Sequence, residues 1–436
     1  MREFEIKDSD IQIIFKLISR LVKKEISSLP VDLRKNPTVL HYYNEIIRFW
    51  NKINFVVKKT LRGSDSLKAR TFSKYLYVTY RILWESATEK EIINEIINLD
   101  KKFLHQLKSF SWKKALIKKD DVEKLSILES IPSFMIKHLL PIMKMDFLKE
   151  NIKFMNRDVD DIEITIRVNN LHRKTSTEDF YKQIIEGLSK DQIEYRRDSD
   201  IPEMFWIPLC QKIKVLSNYF YQKGFLLFQD KASGTVIKTL SPREEDQICD
   251  MCAAPGIKTS LIAQSMNNKG HIIAGDFLHE RIKMMKRLLK QLNVSNVNLI
   301  NTDSIIFPIR FQNYFDKILL DAPCTGSGNL LANPELKLRQ NKKFLRQNII
   351  LQRKLIKSAL DLLKPNGIFV YSTCSIYPEE GELQILNFID SLEPLDLPKW
   401  ISPSYRINNK TIPGTGRLFP SIHQTQGFFI AKFKKK

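Results

Sequence analysis

The 436-residue sequence has no run of about twenty apolar residues, the length a helix needs to cross a bilayer core. Its opening, Met1-Arg2-Glu3-Phe4-Glu5, lacks the apolar stretch of a secretory leader. A soluble, cytoplasmic, monomeric protein with no membrane partner is therefore expected. Cysteine is scarce: five residues, an odd number without a leader, argue against a disulfide framework. Cys249 and Cys252 form a C-x-x-C, but no second cysteine or histidine pair follows at ligand spacing, so no metal site is expected. Acidic residues are also short, 49 against 70 Lys and Arg, which leaves a formal charge of +21. Such an excess points to a polyanion. Nucleic acid leads over an anionic membrane because no basic amphipathic helix stands apart, and a lysine-rich genome is the bland alternative. What is present in quantity is hydrophobic side chain, 43% of residues, enough for sizeable cores in two or three domains.

From about residue 9 to 150 the pattern is helical. Ile11, Ile14, Phe15, Ile18 and Val22 form an amphipathic stripe. A second helix is predicted from Pro37, carrying Tyr43, Ile46, Ile47, Trp50, Ile53 and Val57, with others over Ser73 to Trp84, Glu89 to Asn98 and Val122 to Lys137. Trp50, Tyr77 and Trp84 fall on the apolar stripes and read as core rather than as base-stacking platforms. Near Asn156 the pattern changes. Ile162 to Val168 alternates as a half-buried strand does, Thr177 to Leu188 reads as a helix and Gly224 to Gln229 as a strand. From about 240, short apolar runs alternate with helices: Gln247 to Asp250, His271 to Asp276, Val297 to Asn301, Lys317 to Asp321, Ile368 to Ser372 and Phe428 to Phe433. That alternation predicts an α/β fold with a Rossmann-like doubly wound sheet, its last strand antiparallel at an edge. The expected domains are an all-helical 1–150, a small α+β 156–235 and the sheet domain 240–436.

Ligands of doubly wound sheets bind outside the carboxyl ends of the strands, where the chemistry-bearing residues of this chain fall. After the first strand comes Asp250-Met251-Cys252-Ala253-Ala254-Pro255-Gly256-Ile257-Lys258, a turn of small residues that lets a ligand approach the backbone at the start of a helix. Asp276 ends the second strand, where a carboxylate can accept hydrogen bonds from two ribose hydroxyls. Asp303 follows the third. Each aspartate alone is more often a helix cap; their recurrence after successive strands favours a site. Asp321-Ala322-Pro323-Cys324 follows the fourth strand and Ser372-Thr373-Cys374-Ser375 the fifth. A buried cysteine is usually a small hydrophobe, but the hydroxyl-rich setting of Cys374 suits a reactive thiol.

These motifs, with Thr165-Ile166-Arg167-Val168-Asn169, Gly224 to Asp230 and Gly427-Phe428-Phe429-Ile430-Ala431, resemble the Sun-type (Fmu) RNA cytosine-5 methyltransferases over about Asp161 to Lys432. Carbon 5 of cytosine is a poor nucleophile, so a thiolate adds to C6 first and pushes electron density onto C5. The resemblance implies S-adenosylmethionine as donor, held by Cys252, Ala253, Ala254, Pro255, Gly256, Ile257, Lys258, Asp276, Asp303 and Asp321. It further implies Cys374 as nucleophile, Cys324 as the thiol that aids release, Asp321 as the residue holding the base, and RNA as partner, rRNA before tRNA. The helical region is similar to the NusB-type RNA-binding module of the bacterial small-subunit (16S) rRNA members.

Four positions depart from the family pattern. Ile257 replaces a small residue, Leu331-Ala332 stands where basic residues are common, Gly381 replaces asparagine and Gln426 replaces aspartate. Three rival classes stay open. A DNA cytosine methyltransferase needs only the Pro-Cys thiol, an assembly factor needs neither cysteine, and a dinucleotide oxidoreductase needs a Gly-x-Gly-x-x-Gly that the first turn lacks.

Overall fold

The computed structural model describes residues 6–23, 36–61, 67–96, 99–157, 161–307 and 311–436. Met1 to Glu5 and Asn98, which enter the sequence reading, lie outside them. The chain divides into two compact units, Met1–Asn156 with Ala332–Asn341, and Arg157–Leu331 with Lys342–Lys436.

The first unit is helical. Helices α1 (Asp8–Val22), α2 (Pro37–Arg48), α3 (Trp50–Thr60) and α4 (Ala69–Trp84) turn their apolar stripes inward, burying Ile14, Phe15, Ile46, Val57 and Tyr77 in one core. Trp50 and Trp84 pack against that core half-buried. The Asn36 side chain caps α2 by accepting the Val39 N–H at 3.0 Å, one residue before Pro37. The single helix expected from Pro37 to Val57 is two, because Phe49 leaves the helical region with φ −99° and ψ 21°. The helix expected over Val122 to Lys137 is also broken, into Asp121–Leu128 and Ser133–Leu139. Ser130 takes a left-handed φ of +48° there, and Pro132 has no N–H to continue a helical ladder. A short helix, Pro334–Arg339, joins this unit from far along the chain.

In the second unit a four-stranded antiparallel sheet runs β2-β3-β1-β4, from β1 (Glu163–Val168), β2 (Arg196–Arg197), β3 (Met204–Pro208) and β4 (Leu226–Phe228). Helix Thr177–Lys190 lays Phe180, Ile184 and Leu188 on it. The expected half-buried β1 is buried on both faces: Thr165 is 4% and Arg167 0% exposed. Arg167 Nη2 donates to Ser260 Oγ at 2.6 Å, and burial lowers the guanidinium pKa to about 9. The small sheet and the large one lie in the same compact unit.

The large sheet has nine strands: β5 (Gln247–Asp250), β6 (His271–Asp276), β7 (Val297–Asn301), β8 (Phe315–Asp321), β9 (Leu363–Thr373), β10 (Leu392–Pro394), β11 (Ser402–Pro403), β12 (Thr415–Leu418) and β13 (Phe428–Lys435). Their order is β11-β12-β13-β9-β8-β5-β6-β7, with β5 to β9 mutually parallel and β10 on β13. The closing β13 is antiparallel to β9 as expected, yet it is no edge strand, since β12 pairs with its other side. Period-two alternation feeds two cores. Ile318, Leu320 and Phe369 meet Leu355, Ile356 and Ala359 of helix Lys342–Leu362, while Leu319, Val370 and Ile430 meet Val236, Ile237, Leu261 and Ile262 on the opposite face. Strand order reverses at β5, which opens a crevice at the carboxyl ends of β5 and β8.

Candidate active site

The turn leaving β5 lies at that crevice. Ala253 N–H donates to Gly275 O at 2.9 Å and Gly256 N–H to Ala253 O at 2.8 Å, which folds 253–256 into a tight bend containing a cis Ala254–Pro255 peptide. Gly256 takes φ +101°, a backbone that only glycine adopts without strain. Ile257 is the first residue of helix Ile257–Ser265, so its departure from the family pattern costs no left-handed backbone. Beneath the turn, Asp250 is buried and accepts the Thr259 hydroxyl at 2.7 Å; burial raises its pKa to about 7. Burial likewise pushes the Cys252 thiol up.

Asp276 ends β6 at 4% exposure. One of its oxygens accepts the Ala254 N–H at 3.2 Å and lies 3.2 Å from Arg281 Nη1, and the other accepts Leu278 N–H at 3.2 Å. The carboxylate thereby fastens the turn at 253–256 to β6. Asp303, beyond β7, caps the short turn Ser304–Ile306 by accepting Ile305 N–H at 3.0 Å. A turn of small residues opening a helix, with acids closing the next two strands, suits a ligand that carries an ammonium-carboxylate end and a ribose.

The parallel pairing of β8 with β9 sets Asp321 opposite Ser372 and so brings both cysteine turns to one place. Cys324 Sγ and Cys374 Sγ are 3.3 Å apart. The hydrogen bond with Cys374, followed by burial, holds the Cys324 thiol well above its ordinary pKa. Asp321 is held from two sides: Ser372 Oγ donates to Oδ1 at 2.7 Å, and Lys258 Nζ lies 2.5 Å from Oδ2. Burial opposes the Lys258 charge, but Asp321, and more weakly Cys374, outweigh it and raise the lysine's pKa. Lys258 thus faces Asp321, a link its sequence position did not reveal.

Sequence reasoning missed Arg281 and also Gln352 and Glu380, which bond the residues flanking Cys324, and it took Asp250 only as the start of the small-residue turn. Arg281 carried a signal, since it follows Asp276 by five residues at the start of a helix. The other departures also have structural settings. A Cβ at Gly381 would lie 2.8 Å from both Arg417 Nη2 and the Phe429 ring. Gln426 supplies a backbone N–H to half-buried Asp230. Leu331 and Ala332 mark the point where the chain leaves one unit for the other.

A Rossmann-like sheet bearing a small-residue turn, strand-end acids and paired thiols defines a methyltransferase-like class. Residues 237–434 match the family model described as 16S rRNA methyltransferase RsmB/F. The mouse 28S rRNA (cytosine-C(5))-methyltransferase is 32% identical over 310 residues, 68% of this chain and 38% of that protein. The Pyrococcus horikoshii tRNA (cytosine(72)-C(5))-methyltransferase is 36% identical over 231 residues, 53% of this chain and 56% of that one. A crystal structure of a methyltransferase homolog protein from Pyrococcus horikoshii superposes with a TM-score of 0.62 at 30% identity, covering 73% of this chain and all of that one. The chain belongs to the Sun/NSun/RsmB superfamily of RNA cytosine-5 methyltransferases. It spans about two fifths to three fifths of the length of these curated relatives.

Proposed function

We propose that this protein transfers a methyl group from S-adenosylmethionine to C5 of a cytosine in RNA, as an RsmB-type enzyme with rRNA as substrate, through a covalent Cys374–C6 adduct. The observation that carries this reading is the Cys324–Cys374 sulfur pair at 3.3 Å, beside an aspartate fixed by Ser372 and Lys258. Cys252 to Lys258, Asp276, Asp303 and Asp321 would hold the donor, which supplies an electrophilic methyl group on a sulfonium. The target cytosine is splayed into the crevice. The Cys374 thiolate adds to C6 while Asp321 holds N3 and the exocyclic amine. After C5 is methylated, loss of its proton to a base and cleavage of the C6–S bond restore the aromatic ring and free Cys374. Cys324, kept protonated beside that sulfur, assists this release. The helical unit, as a NusB-like module, and the small sheet grip RNA through its phosphates, which position it without reading sequence.

The family model and the mouse relative support rRNA; the archaeal relative, named for a tRNA cytosine, supports tRNA as the second reading. The test uses both RNAs with labelled donor and two variants. Cys374→Ala is expected to abolish both methyl transfer and covalent protein–RNA adduct. Cys324→Ala is expected to attack and stall, leaving an adduct that survives denaturing electrophoresis. The reverse pattern makes Cys324 the nucleophile, as the DNA-type mechanism requires. No methyl transfer to either RNA by the unaltered protein leaves an assembly factor.

A further inference from the structure

We propose that Glu380 is a positioning residue that sets the spacing of the Cys324 and Cys374 thiols; the catalytic meaning of that spacing rests on the reading above. Glu380 is fully buried and bonds the residues on either side of Cys374 and the residue after Cys324, reaching the residue before Cys324 through Gln352. Its carboxylate Oε1 accepts the Thr325 N–H at 2.9 Å, and Oε2 accepts the Thr325 hydroxyl, directly after Cys324. Gln352 Nε2 donates both to Glu380 Oε1 at 3.0 Å and to Pro323 O at 2.8 Å, the residue before Cys324. The backbone carbonyl of Glu380 accepts Thr373 Oγ1 at 3.1 Å, directly before Cys374, and Tyr371 OH at 2.9 Å. The Ser375 hydroxyl, directly after Cys374, also hydrogen-bonds the carboxylate. One residue therefore clamps the neighbours of both thiols from below.

Other bonds also join the two turns: Ala322 N–H donates to Ser372 O at 2.9 Å, Gly328 N–H to Cys374 O at 3.0 Å and Ile376 N–H to Ser327 Oγ at 3.0 Å, while Ser327 Oγ lies 3.0 Å from Ser375 Oγ. The Thr325 and Ser375 hydroxyls, directly after the two cysteines, approach only to 3.5 Å, and the Glu380 carboxylate is what bridges them. Burial raises the pKa of Glu380, and its several hydrogen bonds resist that rise. The same carboxylate contributes to keeping the Cys324 thiol protonated, after Cys374 itself and burial. The fold supports the clamp in turn: Gln384 Nε2 donates to Gln352 Oε1 at 3.2 Å and fixes which way that amide faces.

The test measures thiol spacing without RNA or donor. One cysteine, as thiolate, attacks glutathione disulfide to give a mixed disulfide and release one glutathione, and the second cysteine then displaces the other glutathione. Two protein thiols become one disulfide and one glutathione disulfide becomes two glutathione thiols. Peptide mass mapping separates the Cys324–Cys374 product from reaction at Cys210, Cys249 or Cys252. The unaltered protein is expected to cross-link fast, and Glu380→Ala roughly ten- to a hundredfold slower, with a comparable loss in kcat and little change in donor KM. Glu380→Gln is expected to restore most of both rates, since its carbonyl oxygen still accepts from Thr325 N–H and Gln352 and its amide nitrogen can donate to the Thr325 hydroxyl. Cross-linking by Glu380→Ala at the unaltered rate overturns the proposal, as does a folded Glu380→Gln variant as slow as alanine. If Glu380→Ala fails to fold, Thr325→Val decides: it removes one bond to the carboxylate, so slower cross-linking supports the clamp and an unchanged rate overturns it. Cross-linking that follows this pattern in a protein inert toward RNA upholds the clamp and removes the methyltransferase reading.

Discussion

Asp276 serves three protein partners before any ligand arrives: Ala254 N–H, Leu278 N–H and Arg281. A carboxylate offers about four acceptor positions, so room remains for the hydroxyls the donor would present. Its replacement by alanine removes a charged acceptor from a nearly buried place and also frees the small-residue turn. Losing such a partner costs about 1.5–3 kcal/mol, which is about ten- to a hundredfold in affinity. Calorimetry is expected to show S-adenosylmethionine binding weakened by that amount in Asp276→Ala. Arg281→Ala, whose side chain is 43% exposed, is expected to show a smaller loss. Unchanged affinity in Asp276→Ala means that the acid only braces the turn.

The helix Pro334–Arg339 is one of the elements that sequence reading did not name. It belongs to the N-terminal unit because Leu338 packs on that core and Lys337, 2% exposed, donates from Nζ to Arg48 O and to Asn156 Oδ1, each at 2.7 Å. Burial, then Arg48, lowers the lysine's pKa from 10.5 to about 7, against the pull of Glu45 and Glu129. The unfolded chain keeps this proton up to about pH 10.5 while the folded one releases it near 7. Between those values the unfolded state binds more protons, so the lysine's contribution makes stability rise with pH. Below pH 7 the cost of burying the charge is fully present. Lys337→Met keeps the apolar stem and loses the titration, so the stability of the unaltered protein relative to this variant is expected to increase from pH 6.5 to 9.5, by at most about 1.4 kcal/mol per pH unit. Chemical denaturation at several pH values measures that difference, and parallel pH profiles refute it. What was legible in the sequence follows the same logic of distance. Strands β5, β6 and β8 and their terminal acids could be read because each is a local run closed by its own aspartate. The breaks at Phe49 and Ser130 depend on backbone angles that the apolar stripe does not encode. Lys337 with Arg48, and Glu380 with Thr325, pair residues far apart in the chain, and Arg167 looked solvent-facing only because its buried partner Ser260 lies in another element.

At the scale of the whole molecule the formal charge of +21 is the feature no single element explains. Among the described residues no helix is long and apolar enough to cross a membrane. Under the proposed function an RNA partner would account for the basic excess, because each phosphate neutralised by a lysine or arginine releases condensed counterions. Affinity for RNA is then expected to fall linearly in log–log form with salt, with a slope of about −0.7 for each phosphate neutralised on a single strand. If six to ten phosphates are engaged, binding measured by fluorescence anisotropy on a labelled rRNA fragment is expected to weaken by roughly three-hundredfold to ten-thousandfold between about 50 and 200 mM salt. Donor binding, which involves one small zwitterionic molecule, is expected to change far less over the same range. That contrast separates phosphate contacts from a general loss of folding at high salt, because unfolding would weaken both together. A flat salt dependence for RNA means that the basic surface serves something other than the substrate, and the lysine-rich composition then has no role in binding it.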